Sequence, residues 1–164
     1  WNPGARRKEG AVADPQYIPW CSDLMASVKR SNLKNVYFEL GSTWNFLSSS
    51  RPEQAMHLLG QLLNMGMEDN IIWGTDSIWG GSPQSQIERF RRFQISDEIA
   101  NKYGYKKLTP EFKAKVFGLN AARVYRVNVK AKRNAIQADK VAALKQEYKE
   151  NPMPSNTQFG WVWT

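Results

Sequence analysis

The stretch NIIWGTDSIWGG, from Asn70 to Gly81, decides the fold. Its apolar run, residues 71–73, is bounded by turn residues, a pattern that predicts a short interior strand. A single carboxylate, Asp76, follows closely, after Gly74 and Thr75. In parallel α/β folds, functional side chains concentrate at the carboxyl ends of the strands. Two interpretations of Asp76 are therefore open, a helix cap or an acid that takes part in chemistry.

A strand and a helix precede this stretch at the spacing of a βαβ unit. The segment NVYFELG, residues 35–41, is typical of a strand buried on both faces except at Glu39. The segment SSRPEQAMHLLGQLLNMG, residues 49–66, predicts a helix that starts with a capping box of Ser50 and Glu53 and stops at Gly66. We expect the two strands to be parallel, because a helix connects them.

Further helices are predicted along the rest of the chain from apolar periodicity and capping residues. They span about residues 22–30, the segment after Ser82 and Pro83, the segment from Thr109 to Tyr125, and residues 135–149. The final segment, PMPSNTQFGWVWT, is predicted to be irregular, and its Trp161 and Trp163 suggest that it docks on other protein.

Composition and charge argue against several classes of protein. The 164 residues carry a net charge of +8, but most of the positive charge lies on the polar faces of predicted helices, and no nucleic-acid-binding motif accompanies it. No apolar run approaches the roughly 20 residues of a membrane span, and no signal peptide opens the chain. The one cysteine, Cys21, and the one histidine, His57, lie in different predicted elements, so a catalytic pair is not favoured.

Two strands are too few for an independent sheet, which needs about three or more. The chain also begins at Trp1 without an initiator methionine. We therefore expect this sequence to be part of a longer protein that supplies partners for the strand edges.

The combination of NVYFELG, IIWGTDSIW, KAKVFGLNAARVY and the tail FGWVW resembles the last part of the amidohydrolase-related (amidohydrolase 2) proteins. These are metal-dependent hydrolases and decarboxylases. The resemblance implies an α/β fold, the C-terminal part of a (β/α)₈ TIM barrel with about two strands plus helices, followed by a helical C-terminal extension. Residues 1–130 would belong to the barrel, and residues 131–164 would form the extension and tail.

In that family, the acid that ends the eighth strand lies by the metal, and Asp76 matches this position. The resemblance implies that Asp76 is a metal ligand or accepts the proton of a water molecule whose pKa the metal lowers to about 7. The expected cofactor is a divalent metal, zinc or manganese, whose other ligands lie outside this chain. Glu39, Trp44 and Trp79 are weaker candidates for supporting the site or lining a substrate pocket; the alternatives are pairing of Glu39 with a cation and packing of both tryptophans.

The expected function is thus metal-dependent hydrolysis of a carbonyl-type small molecule, with non-oxidative decarboxylation as the close alternative. Two rivals remain, a basic nucleic-acid-binding module and a non-catalytic docking segment. We expect the N-terminal remainder of the barrel as a partner, leave homo-oligomerisation open, and expect neither nucleic acid nor membrane as partners. A cytoplasmic location is expected, and the isolated segment should be inactive.

Overall fold

The computed structural model describes residues 14–77, 81–135 and 139–152. In these ranges the helices and strands, in chain order, are α1 (Cys21–Arg30), β1 (Phe38–Glu39), α2 (Gly41–Ser50), α3 (Pro52–Asn64), β2 (Ile71–Ile72), α4 (Gln84–Arg92), α5 (Asp97–Tyr103), α6 (Pro110–Ala114), a π-helical segment (Lys115–Leu119), α7 (Asn120–Val124), α8 (Val129–Ala135) and α9 (Lys140–Glu150).

The two strands pair in parallel, as predicted, with Phe38 opposite Ile71 and Glu39 opposite Ile72. Each is only two residues long, shorter than its apolar run. The Phe38 amide donates to the Asn70 carbonyl at 2.8 Å, and the Leu40 amide donates to the Ile72 carbonyl at 3.1 Å. The carboxyl ends of both strands consequently lie side by side, which places the segments after Glu39 and after Ile72 at one edge of the sheet.

The connection between the strands differs from the prediction, because it contains two helices. Helix α2 lies mostly between the predicted strand and the predicted helix, where no helix was predicted, and it ends at Ser50. Ser50 therefore belongs to α2, and the predicted Ser50–Glu53 capping box is wrong: α3 begins after Arg51 with no side-chain cap. At the serine-rich end of α2, the Ser48 and Ser49 hydroxyls donate to carbonyls one turn earlier, at 2.6 and 2.7 Å.

An apolar core forms where α2, α3 and α4 pack around the short sheet. Trp44 of α2 is fully buried, and its ring meets the rings of Phe90 and Phe93 edge-to-face, each at 5.0 Å between centroids. Helix α3 contributes Leu59 and Leu62 to the same core. These aromatic and aliphatic contacts fix α2 against the sheet, and they thereby fix the segment in which α2 begins.

Two described helices of the C-terminal half were not predicted, α5 and α8, and α5 is capped by the Ser96 hydroxyl, which accepts from the Ile99 amide. The predicted Thr109 cap is confirmed: its hydroxyl accepts from the Phe112 amide at 3.2 Å. The last predicted helix starts at Lys140 instead of residue 135, because Asp139 caps it by accepting from the Ala142 amide. Most of the predicted tail, residues 153–164, lies outside the described residues.

Asn120, at the start of α7, ties the C-terminal helices to the sheet. Its buried side-chain amide donates to the carbonyls of Glu68 and Ile71 at 2.9 and 2.8 Å. No helix within the described ranges has the length and apolar character that crossing a membrane requires.

Candidate functional site

The Asp76 carboxylate lies just beyond β2, on the side of the sheet where α2 begins. Its Oδ2 atom accepts two hydrogen bonds from Ser42, one from the backbone N–H and one from the hydroxyl, both at 2.8 Å. Ser42 is the second residue of α2, so its N–H has no partner within the helix. Asp76 therefore does cap a helix, but it is the helix that follows the neighbouring strand.

The backbone around Asp76 is held in an unusual conformation. Asp76 itself has a φ of 47°, in the left-handed region that few non-glycine residues adopt. The preceding carbonyl, that of Thr75, accepts a 2.9 Å hydrogen bond from the side chain of Gln86, which is buried in α4. The buried side-chain amide of Gln86 thus fixes the segment between β2 and α4 at Thr75, the residue immediately before the exposed Asp76.

Glu39 ends β1 and lies next to Asp76. Its Oε1 atom accepts from the Gly41 amide at 3.0 Å. A Cβ atom added at Gly41 would lie 2.6 Å from Asp76 Oδ2 and 2.6 Å from Glu39 Oε2, so these two oxygens are separated by no more than twice that distance. A Cβ at Gly74 would collide with Glu39 Oε1. Two glycines thus make room for the pair of carboxylates, hereafter the carboxylate pair (Glu39 and Asp76).

The two acids of the pair have opposite electrostatic surroundings. The Ser42 hydroxyl and then the Ser42 amide lower the pKa of Asp76, and partial desolvation only opposes them. Partial burial and then the negative charge of Asp76 raise the pKa of Glu39, and the hydrogen bond from Gly41 offsets part of this rise. Asp76 is accordingly the acid that stays ionised, and Glu39 is the one that gains a proton more readily.

The two acids of the carboxylate pair can contribute ligands to a divalent-metal site, but they do not form a complete site. Carboxylate oxygens are ligands for zinc, manganese and magnesium. Within the described residues, no cluster of three or more His, Cys, Asp or Glu side chains could hold a metal ion. The carboxylate pair therefore fits as one or two donors of a site whose other ligands must come from elsewhere.

Two other candidates, Trp44 and His57, are buried and make their hydrogen-bond contacts with groups outside this pair. Trp44 is fully buried in the core and its indole N–H lies 3.4 Å from the Gln86 carbonyl, a position that agrees with the packing alternative. Trp79 lies outside the described residues. His57 is buried in α3, where its Nδ1 lies 3.0 Å from the Tyr105 hydroxyl oxygen, and burial lowers its pKa. Cys21 begins α1 and lines a cavity of about 230 Å³ that includes Glu39 but not Asp76.

Several cations of the basic C-terminal half have protein partners. Lys115 pairs with Asp69 at 2.8 Å, and Lys107 pairs with Asp97 at 2.9 Å. The Lys113 ammonium group donates to the Arg91 carbonyl at 2.7 Å. Such contacts are common on solvated protein surfaces, and they do not indicate a binding site for a nucleic-acid phosphate backbone.

The parallel pair of strands, with an acid just beyond the carboxyl end of the second strand, is compatible with part of an α/β fold. A family model described as amidohydrolase matches residues 10–127, and the chain belongs to this family. Neither a curated protein nor a solved structure matches the chain. Members of the family are in general metal-dependent, which agrees with the oxygen donors of the carboxylate pair.

Sequence reasoning singled out Asp76 and Glu39 but missed Ser42, Gly41 and Gly74. Each of the two glycines follows a strand, and its missing side chain could have been interpreted as leaving room for a neighbouring group. Ser42 gave no such signal, because only the pairing of β1 with β2 brings it within reach of Asp76.

Proposed function

We propose that this chain supplies the carboxylate that ends the eighth strand of a metal-dependent hydrolase with a (β/α)₈ barrel. The single observation that carries the proposal is the geometry of Asp76 in a chain of the amidohydrolase family: an exposed, ionised carboxylate held by two hydrogen bonds at the carboxyl end of a parallel strand.

The roles of the chain's own residues follow from this geometry. Ser42 donates both of its hydrogen bonds to Oδ2 of Asp76, and in this proposal Oδ1 faces the cation or the water proton. A divalent cation, when bound, supplies Lewis-acid polarisation of a carbonyl and acidification of water. Asp76 acts there as a ligand or as the proton acceptor, and its lowered pKa keeps it in the basic form that either role requires.

The rest of the site comes from protein outside this chain in this proposal. Zinc sites in enzymes usually have three protein ligands, and the described residues offer at most the two acids of the carboxylate pair. In the described residues, β1 pairs only with β2, so the outer edges of both strands are open to further strands of a barrel. The expected cation is zinc or manganese, and the expected substrate is a small molecule with a carbonyl or carboxyl group.

The experiment uses the native polypeptide, stripped of metal and reconstituted with Zn²⁺ or Mn²⁺. It measures hydrolysis of a panel of esters, lactones and amides, and in parallel the release of CO₂ from aromatic carboxylic acids. We expect metal-dependent hydrolysis that falls by about 10²-fold or more in Asp76→Asn, because a positioned proton acceptor contributes about that much.

The outcomes separate the alternatives. CO₂ release with the same metal and Asp76 dependence would make the protein a decarboxylase and contradict hydrolysis while leaving the role of Asp76 intact. Turnover that survives metal removal and Asp76→Asn would overturn the proposal. Nucleic-acid binding that weakens steeply with salt, without metal-dependent turnover, would favour the rival binding module.

A further inference from the structure

We propose that Ser42 is a positioning residue that selects which oxygen of Asp76 faces the cation. This inference rests on the proposed function and adds a residue to it. The backbone N–H and the hydroxyl of Ser42 both donate to the same atom, Oδ2, at 2.8 Å each. When one oxygen of a carboxylate accepts two hydrogen bonds, rotation about the Cβ–Cγ bond is restricted. The other oxygen is then held in one position, where it can act as a single ligand.

The two donors are themselves fixed by the fold. Ser42 lies in the first turn of α2, and the buried side chains of Trp44 and Leu47 anchor that turn to the core. The amide of Ser42 is one of the N-terminal amides that have no partner inside the helix, so it is free to point at an acceptor outside. The positive end of the helix dipole adds a further attraction for the ionised Asp76 carboxylate.

Within the described residues, the hydrogen bonds to the Asp76 side chain come from Ser42 alone. The Asp76 side chain is exposed, and its φ of 47° places the residue in a sparsely populated backbone conformation. The hydroxyl of Ser42 is therefore a substantial part of what keeps the carboxylate in one rotamer. The neighbouring Glu39 does not replace it, because its carboxylate accepts from Gly41 and repels Asp76.

The test compares Ser42→Thr with Ser42→Val in the native polypeptide. These two variants have side chains of nearly the same shape, and only threonine keeps the hydroxyl. Ser49→Ala is the matched control, because Ser49 lies in the same helix and its hydroxyl donates only within that helix, to Asn45 at 2.7 Å and to Phe46 at 3.2 Å. Asp76→Asn reports whether the acid binds metal at all.

The readout is the affinity for Zn²⁺, and separately for Mn²⁺, measured by competition with a chromophoric chelator, with circular dichroism as the check on folding. We expect Ser42→Val to bind about 10-fold more weakly, the lower end of the effect of removing a residue that orients a metal ligand. Ser42→Thr should lie within about threefold of the wild type, and Ser49→Ala should equal it.

Equal affinities of the folded Thr and Val variants, with binding lost in Asp76→Asn, would overturn the role of Ser42 and leave the proposed function standing. Unchanged binding in Asp76→Asn would instead refute the metal role of Asp76 and the proposed function with it. If Ser42→Val does not fold, an affinity of Ser42→Thr more than about tenfold below the wild type would overturn the inference, because the hydroxyl is retained there.

Discussion

Gly41→Ala is the substitution that probes the packing of the carboxylate pair most sharply. Gly41 has a φ of 34°, so alanine pays a left-handed backbone penalty of about 1–2 kcal/mol. Its new Cβ would also lie 2.6 Å from oxygens of both Asp76 and Glu39, which must move away. Moving Asp76 breaks its hydrogen bonds to Ser42, which adds about 1 kcal/mol. We therefore expect a total loss of about 2–3 kcal/mol in the free energy of unfolding.

Gly66→Ala is the control, because Gly66 also has a positive φ, 71°, but nothing lies within 4 Å of its added Cβ. It should cost only the backbone strain of about 1–2 kcal/mol. The assays are urea denaturation and chelator competition for Zn²⁺ on the native polypeptide. We expect a fall of about 10-fold or more in zinc affinity for Gly41→Ala alone. Wild-type zinc affinity in a folded Gly41→Ala variant would refute the reasoning.

Two further predictions concern stability, and both are measured by denaturant unfolding. Asn120→Ala removes the buried 2.8 Å hydrogen bond to the Ile71 carbonyl and a second, partly buried bond to the Glu68 carbonyl, so it should cost about 2–3 kcal/mol. Asn64→Ala, at an exposed bond, should cost less than about 1 kcal/mol. Equal costs would contradict the tie between α7 and the sheet. Burial lowers the pKa of His57 and the Glu53 carboxylate only partly offsets this, so the unfolded state binds a proton more readily, and stability should fall as the pH drops below about 6.5. His57→Gln should flatten this decline, and an unchanged slope would show that His57 does not cause it.

The sequence predicts well those elements whose signals lie within one short stretch of the chain. The parallel pairing of β1 and β2 followed from two apolar runs separated by a helical pattern, and the Thr109 cap followed from its own side chain and the next turn. Helix α2 was missed because Gly41 and a run of serines are poor helix formers. What holds α2 in place is Trp44 packed between Phe90 and Phe93, a contact between distant segments that no local window contains.

The candidate site shows the same division. Asp76 could be identified from its place after an apolar run, but the choice between a cap and a working acid could not be made from sequence. The structure shows that one oxygen of Asp76 caps α2, and the proposed function assigns the chemistry to the other oxygen. A cap and a working acid are compatible in the same side chain, because the helix that Asp76 caps is the one that follows the neighbouring strand, β1.

The proposed place of Asp76 in a metal site is tested by the zinc content of the native polypeptide and of two variants after dialysis against Zn²⁺. Asp69→Asn is the matched control, because Asp69 lies before the same strand at its opposite end and pairs with Lys115. We expect zinc to remain bound to the wild type and to Asp69→Asn, and little or none to remain bound to Asp76→Asn. Equal zinc content in all three would show that Asp76 is not part of a zinc site.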